Sequence, residues 1–292
     1  MGSGIKTLVS IMELTNAGAL EPGASICDIG VTQLFGPSAD EGARSFLSFY
    51  AGRTAKAERP DSLSETTYMK LGDGGYLGDL LILAGFEYTA LDIFKGTNTI
   101  LFDLNVHAPG DKLRGRFDLV MNFGTTEHVF NQLRAFQTIH DLASPAGVVY
   151  HDLPVAGFFN HALFRYDPLF FKLLAEANGY EVIKLQLSTA PRAPRMESDR
   201  APIQYGPETM DDVGMEAIYI KTGDTPFQIP LEASTALSLD PDFYSIDTDD
   251  YVAMPAGYSV SYNKTHGSFA TGLRRAFGLI RDKCLMLWRK RL

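Results

Sequence analysis

The order of segments between residues 116 and 152 constrains the fold more than any other feature of the chain. The sequence FDLVMNFGTTEHVFNQLRAFQTIHDLASPAGVVYHD has the pattern of a strand, a polar loop, an amphipathic helix, a glycine turn and a second strand. An open parallel sheet binds ligands beyond the carboxyl ends of its strands. The polar cluster at residues 122–128 is therefore predicted to line a crevice at that edge of the sheet.

The composition indicates a soluble protein with a sizeable core. The chain has 292 residues, of which 45% are hydrophobic and 21% charged, values ordinary for a folded soluble protein. The formal net charge of −9 argues against nucleic-acid binding, because a phosphate backbone requires a basic face. The two cysteines, Cys27 and Cys284, indicate no disulfide framework and suit a reducing compartment.

The amino terminus shows no targeting signal. It lacks a basic stretch followed by an apolar run and a cleavage site. Lys6 stands where a myristoylation signal has Ser or Thr. No uninterrupted apolar run reaches the ~20 residues of a spanning helix. We expect a cytoplasmic protein that is soluble or, at most, peripheral to a membrane.

Hydrophobic periodicity predicts seven strands alternating with helices. The predicted strands are 25–30, 87–92, 98–104, 116–122, 147–152, 181–188 and 216–222, and the predicted helices are 5–20, 39–51, 75–84, 129–142 and 169–178. About 60 residues separate the first two strands, against ~30 for a simple βαβ unit, so an insertion is predicted at about 37–71. Within it, residues 51–68 have the pattern of a polar loop.

Three regions are predicted along the chain: a main domain at 1–230, an irregular extension at 231–265 and a basic amphipathic helix at 266–292. The last carries seven positive side chains and a single acid, Asp282. Such a helix can lie on an anionic membrane, dock on a partner or cover its own domain. The proline-rich, charged segment that precedes the seventh strand is predicted to be a long loop.

Three sequence motifs together resemble the class I S-adenosylmethionine (SAM) dependent methyltransferases. They are ICDIG at 26–30, LDIF at 91–94 and FDLV followed by a polar turn and EHV; GTTEHV resembles one uncharacterised bacterial branch. The resemblance implies a seven-stranded Rossmann-like α/β sheet, mostly parallel with an antiparallel last strand and helices on both faces. It also implies SAM as cofactor and methyl transfer by direct displacement. The acidity of the chain favours a small-molecule or glycan-like acceptor.

The resemblance implies that the cofactor is bound at the ends of the first two strands. Asp28 and Gly30 would bend the chain near the amino-acid moiety of SAM. Thr32 replaces a glycine usual in the family, and Thr32 and Gln33 can offer hydrogen bonds instead. Asp92, followed by Ile93, would accept both ribose hydroxyls, since a carboxylate presents two acceptors to two donors. Alternatively, Asp92 caps the loop that follows it.

The third and fourth strand ends would complete the cofactor site. Asp103 and Leu104 would contact adenine, or Asp103 initiates a turn, as aspartate commonly does. Asn122, Phe123 and Gly124 would shape the methionine side, with Gly124 permitting a close approach. The same residues also suit a tight turn into a helix whose N-cap is Thr125 or Thr126.

Glu127 and His128 are the leading catalytic candidates, because an acceptor must lose a proton and histidine titrates near neutrality. An EH pair that opens a helix also occurs in this family for packing or cofactor positioning. His151 and His161 are candidate acceptor-side residues, although the aromatic cluster around His161 also suits an ordinary core.

No metal is expected from the sequence pattern. Some family members bind magnesium through a second glutamate three positions before the EH pair, where this chain has Gly124. Glu127, His151 and His161 could converge, but their spacing matches no ligand motif.

Two other functions remain open. A catalytically inactive binding module with the same fold is consistent with Thr32 and Gly124. A nicotinamide-dependent oxidoreductase would share a strand followed by a glycine turn and an acid at a strand end. It also requires the motif G-x-G-x-x-G after the first strand, which DIGVTQLFG does not supply.

Overall fold

The computed structural model describes residues 2–36, 38–72, 74–190, 211–232 and 259–261. Its strands are β1 (Gly2–Ser3), β2 (Ser25–Ile29), β3 (Gln33–Leu34), β4 (Glu87–Asp92), β5 (Thr99–Leu101), β6 (Phe117–Phe123), β7 (Ala143–Ala156), β8 (Glu181–Ala190), β9 (Asp212–Ile220), β10 (Gln228–Pro230) and β11 (Ser259–Ser261). Its α-helices are α1 (Ile5–Asn16), α2 (Ala39–Ala51), α3 (Glu65–Leu71), α4 (Leu77–Leu83), α5 (Gln132–Leu142) and α6 (Pro168–Asn178).

Seven strands form one sheet in the order β5-β4-β2-β6-β7-β9-β8. The strands from β5 to β7 pair in parallel, while β9 is antiparallel to both β7 and β8. This confirms the predicted mostly parallel sheet, and its last strand along the chain is the antiparallel one. The connections after β2 lead first to β4 and β5 on one side and then to β6 and β7 on the other. The switch point for ligand binding therefore lies between β2 and β6.

Helices cover both faces of the sheet, as predicted. Alternate side chains of β2 point to opposite faces: Ile26 packs in one apolar cluster, and Cys27 and Ile29 pack in the other. The first cluster includes buried residues of α1, α2 and α4, and the second includes those of α5 and α6. Cys27 carries a buried free thiol.

Helix α6 illustrates how local signals set the ends of an element. The side chain of Asp167 accepts a hydrogen bond from the Leu169 N–H at 2.8 Å, and Pro168 occupies the first turn. Gly179 ends the helix at φ +63°, a left-handed conformation that favours glycine. The helix therefore agrees with the predicted range 169–178 to within one residue at its start.

The insertion at 37–71 contains more helix than its sequence predicts. Helix α2 has the predicted bounds, but the segment predicted to be a polar loop contains a 3-10 turn at Pro60–Ser62 and the beginning of α3. The Ser64 hydroxyl caps α3 by accepting a hydrogen bond from Thr67 N–H. Tyr68 and Leu71 are buried, so packing against the rest of the chain stabilises a helix that is short and polar in sequence.

The predicted N-cap at Thr125 or Thr126 is wrong. The 3-10 turn Thr126–His128 comes first, and α5 begins only at Gln132. The Asn131 side chain is the cap, accepting a hydrogen bond from Arg134 N–H at 3.2 Å. Several strands also differ in their bounds from the predictions. Strand β5 is shorter, β9 begins at Asp212 instead of residue 216, and β7 runs from Ala143 to Ala156, where β9 pairs with its second half.

Several predictions fall outside the described residues. These are the basic helix at 266–292, most of the extension at 231–265 and most of the loop between β8 and β9. Strand β11 does lie within the extension that was predicted to be irregular, and it pairs in parallel with β10. In the described part of the chain, no helix combines the length and apolarity needed to cross a membrane.

Candidate functional site

The loops that follow β2 and β6 meet at the switch point of the sheet. The Thr125 hydroxyl, from the β6 loop, donates a hydrogen bond to the carbonyl of Ile29 at the end of β2. Gly30 follows with φ +105°, and its N–H donates to Leu91 O of β4 at 2.8 Å. A side chain at position 30 would be strained at that φ, so the glycine allows the chain to turn sharply at the crevice.

Asp28 stabilises the conformation of the loop after β2 through hydrogen bonds to its buried carboxylate. Its carboxylate accepts hydrogen bonds from Thr32 N–H (3.1 Å), from the Thr32 hydroxyl (3.0 Å) and from the Tyr88 hydroxyl (2.9 Å). Burial raises the pKa of Asp28 to about 7, even though these donors favour the charged form. Thr32 thus closes the loop on Asp28 through both its side chain and its N–H. Gln33 lies beyond it in β3, and its side-chain amide donates to Gly74 O at 3.0 Å.

Asp92 joins the β2 loop to the β4 loop. Its Oδ2 accepts the Val31 N–H at 2.8 Å, and its Oδ1 accepts the Phe94 N–H at 3.0 Å. A carboxylate has about four lone-pair sites, so two remain for further donors. Ile93, the next residue along the chain, has a side chain that is 60% exposed.

The β5 end forms a turn that reaches towards the β6 loop. Asp103 Oδ1 accepts the Asn105 N–H at 2.8 Å, so Asp103 initiates a turn, and Leu104 is buried. The Asn105 side-chain oxygen then accepts the N–H groups of Phe130 and Asn131 at 3.1 and 3.0 Å. The loops that follow β5 and β6 are thereby connected around the crevice.

A buried polar network lies under the β6 loop. The side-chain amide of Asn122 donates to Thr126 Oγ1 and to His151 Nδ1, both at 3.0 Å. Because Nδ1 of His151 accepts, the ring is neutral with its proton on Nε2; burial lowers its pKa to about 3. The Tyr166 hydroxyl bonds Thr126 Oγ1 at 3.0 Å and Gln132 Oε1 at 2.7 Å. His151 therefore lies within this network and orients Asn122.

Glu127 combines deep burial with a carboxylate oxygen that has no hydrogen-bond partner in the described structure. Its side chain is 1% exposed, and the oxygen without a partner there is Oε2. Burial raises the pKa of this carboxyl to about 7. The adjacent Gly124 has φ +70°, and a Cβ there would lie 3.3 Å from Glu127 Oε1, so the glycine leaves room for the carboxyl group.

Two histidines lie beside Glu127. His161 Nε2 is 3.9 Å from Glu127 Oε1, and the rings of His128 and His161 are in edge contact with centroids 5.0 Å apart. Both histidines are exposed, and burial of part of the His161 ring lowers its pKa. Of the predicted catalytic residues, Glu127, His128 and His161 lie together in the structure. His151 lies apart from them, in the buried polar network under the β6 loop.

Sequence reasoning missed residues that shape the site. Tyr88 occupies an apolar position of β4 and gives no polar signal, yet its hydroxyl donates a hydrogen bond to Asp28. Asn105 was not predicted as a site residue, although its side chain connects two loops. Contacts of this kind join residues far apart in the chain, so no local pattern could have identified them.

Comparison with known proteins gives a family match for the middle of the chain. Residues 72–185 match the family model of a methyltransferase domain. The match begins before α4 and ends within β8, so it includes Asp92, Asp103 and the three clustered residues of the β6 and β7 loops. The β2 loop with Asp28 precedes the matched region. A search of curated proteins found no match.

Solved structures similar to this chain include three with low sequence identity. The Burkholderia thailandensis 1,6-didemethyltoxoflavin-N1-methyltransferase is 15% identical, with 75% of this chain and 78% of that chain covered and a TM-score of 0.39. TehB from Haemophilus influenzae is 8% identical, with 74% and 62% covered and a TM-score of 0.41. A SAM dependent methyltransferase from Archaeoglobus fulgidus is 11% identical, with 73% and 94% covered and a TM-score of 0.38.

Proposed function

We propose that this protein is a SAM-dependent methyltransferase of class I. The observation that carries the proposal is Asp92, a carboxylate at the end of the strand next to the switch point, within the region that matches a methyltransferase domain. Its two remaining acceptor sites suit the two ribose hydroxyls of SAM. The cofactor supplies the reactive methyl group, and the protein has to orient it and align an acceptor.

The other loops would hold the remaining parts of SAM. The exposed side chain of Ile93 offers an apolar surface for adenine, next to the Asp103 turn. The β2 loop, shaped by Asp28 and Gly30, would lie along the amino-acid moiety. The backbone at Gly124 would border the methionine side, because Asn122 and its partner His151 keep that turn in place.

The acceptor would lie beside Glu127, His128 and His161. Aromatic residues border this cluster. The Phe158 ring centroid is 5.7 Å from that of His161, and Phe164, whose N–H donates to the Glu127 carbonyl at 3.0 Å, has its ring 6.2 Å from that of Phe130. Such a wall suits a small molecule or the apolar face of a sugar. The net charge of −9 disfavours a nucleic-acid acceptor. The acceptor's nucleophilic atom would approach the methyl carbon in line with the departing sulfur.

Calorimetric titration of the purified protein with SAM, S-adenosylhomocysteine and NADH tests the cofactor assignment. We expect micromolar binding of both adenosyl ligands and none of NADH. Asp92→Asn should abolish that binding, because an amide offers one acceptor atom where the carboxylate offers two. Asp118→Asn is the matched control: Asp118 accepts hydrogen bonds from Ser25 N–H and Oγ at the opposite end of the sheet, so SAM affinity should not change.

Other outcomes would distinguish the alternatives. Unchanged SAM affinity in folded Asp92→Asn protein would remove the ribose assignment. Binding of NADH alone would favour an oxidoreductase. Binding of SAM without methyl transfer to any member of a broad panel of phenols, amines and sugars would favour a catalytically inactive binding module.

A further inference from the structure

The cluster of Glu127, His128 and His161 has the composition of a metal site. Each residue offers one ligand atom, and these three atoms lie within 4.8 Å of one another. Around one tetrahedral Zn²⁺, with bonds of about 2.05 Å, ligand atoms are about 3.3 Å apart. The cluster must therefore close by about 1.5 Å at most, which rotation of the two exposed histidine side chains can provide.

The buried carboxylate of Glu127 gives an independent reason to place a cation here. Its Oε2 is buried without a hydrogen-bond partner in the described structure. Burying a carboxylate oxygen without a partner is costly, and buried charges are normally paired or coordinate metals. A cation bound to Glu127 would supply the missing partner.

Hydrogen bonds hold the backbone on both sides of His161, and one side is bonded directly to Glu127. On one side, Phe158 N–H donates to Asp212 Oδ1 at 2.6 Å, and on the other, Leu163 N–H donates to the Glu127 carbonyl at 3.0 Å. Phe158 and Asn160 have φ values of +42° and +60°. Asparagine tolerates the left-handed conformation, but it is strained for phenylalanine, and such strain concentrates at functional sites. The loop accepts this strain while presenting His161 next to Glu127.

We propose that Glu127, His128 and His161 bind one divalent transition-metal ion, with Zn²⁺ as the preferred class of ion. Imidazole suits zinc, iron, nickel and copper, whereas Mg²⁺ requires an oxygen-rich set. With Gly124 at the position where a further carboxylate would stand, this cluster has too few oxygens for Mg²⁺. Three protein ligands leave a coordination position for water or an acceptor oxygen. This proposal goes beyond the proposed methyl transfer, and its test does not depend on that activity.

Zinc titration of metal-free, tag-free full-length protein, in competition with a chromophoric chelator, tests the site. We expect one equivalent of Zn²⁺ to bind and excess Mg²⁺ not to compete. Glu127→Gln and His161→Ala should each weaken Zn²⁺ binding by about 100-fold or more, since even the outer-shell partners of metal ligands are worth about 10–100-fold. His107→Ala, which removes an exposed histidine of the β5 loop, is the matched control and should leave Zn²⁺ affinity unchanged.

Cobalt substitution provides a second measurement on the unaltered protein. Co²⁺ bound by two imidazoles and a carboxylate at low coordination number should give visible absorption that Glu127→Gln abolishes. Glutamine keeps the shape of the buried side chain, so this variant is expected to fold, and circular dichroism checks that it does. Absence of stoichiometric Zn²⁺ binding, or binding that survives both Glu127→Gln and His161→Ala, would overturn the proposal.

Discussion

Glu216 is expected to be a major electrostatic contributor to the stability of the sheet. Its side chain is 0% exposed in the middle of β9 and accepts hydrogen bonds from the Ser10 hydroxyl of α1 at 2.6 Å and the Tyr150 hydroxyl of β7 at 2.7 Å. Lys6 and Lys184 form ion pairs with its other oxygen at 3.1 and 2.9 Å. The carboxylate therefore joins the first helix, two central strands and the edge strand.

The contribution of Glu216 to stability can be calculated from the pKa of its carboxyl. Burial alone would raise this pKa, but the four donors lower it from 4.5 to about 2. At about 1.36 kcal/mol per pKa unit, the difference corresponds to about 3 kcal/mol of stability. Removing one partner of a buried pair costs about 3–5 kcal/mol. Because Lys6 and Lys184 are 39% and 27% exposed and can turn to solvent, we expect Glu216→Gln to cost about 2–3 kcal/mol at pH 7.

The pH dependence gives the sharper test. A folded-state pKa below the unfolded value stabilises the protein above about pH 4.5, and this contribution is lost as the pH falls towards 2. The difference in the free energy of unfolding between wild type and Glu216→Gln should therefore reach its full value at pH 7 and be much smaller at pH 3. Urea unfolding followed by circular dichroism at both pH values measures it.

A matched control separates this carboxylate from ordinary surface charge. Glu87 forms an ion pair with Lys56 at 3.2 Å, with both side chains 62% exposed. Glu87→Gln should cost less than about 1 kcal/mol, as exposed ion pairs do. A loss below about 1 kcal/mol for Glu216→Gln at pH 7, or an equal loss at pH 3, would refute the reasoning.

Two further substitutions test local interactions. Tyr88→Phe removes a donor to buried Asp28, so we expect a loss of about 1–3 kcal/mol; because that hydrogen bond favours the charged carboxyl, the loss should be larger at pH 8 than at pH 5 in urea unfolding, and an equal loss at both would contradict this. Asp167→Ala removes the N-cap of α6 and should lower the free energy of unfolding by about 1 kcal/mol, while Asp167→Asn, which can still accept the Leu169 N–H, should retain most of the stability.

The candidate site was only partly predictable. The strand-end positions of Asp28, Asp92 and Asn122 followed from the strand pattern, since the carboxyl ends of parallel strands share one edge. The pairing of Asp92 with the Val31 N–H did not follow, because it depends on how two loops meet. The spacing of the residues along the chain predicted no metal site. It could not reveal the cluster at Glu127, because the fold brings His161 beside Glu127 from a distant part of the chain.

The sequence by itself indicated the strands of the main sheet and most of its helices, and its motifs implied the fold class through their family resemblance. Hydrophobic periodicity, caps and glycine turns are local signals, and they placed β2, β4 and α2 with little or no error and defined α6 through Asp167 and Gly179. Such signals depend on residues that are close together in the sequence, which is why they predict where an element begins and ends.

Tertiary structure alone decided which side chains meet. It helped stabilise α3 through the burial of Tyr68 and Leu71, moved the start of α5 to Gln132, and set His151 beneath the crevice. The physical reason is the same in each case: burial and long-range hydrogen bonds depend on neighbours that approach only after the sheet has formed.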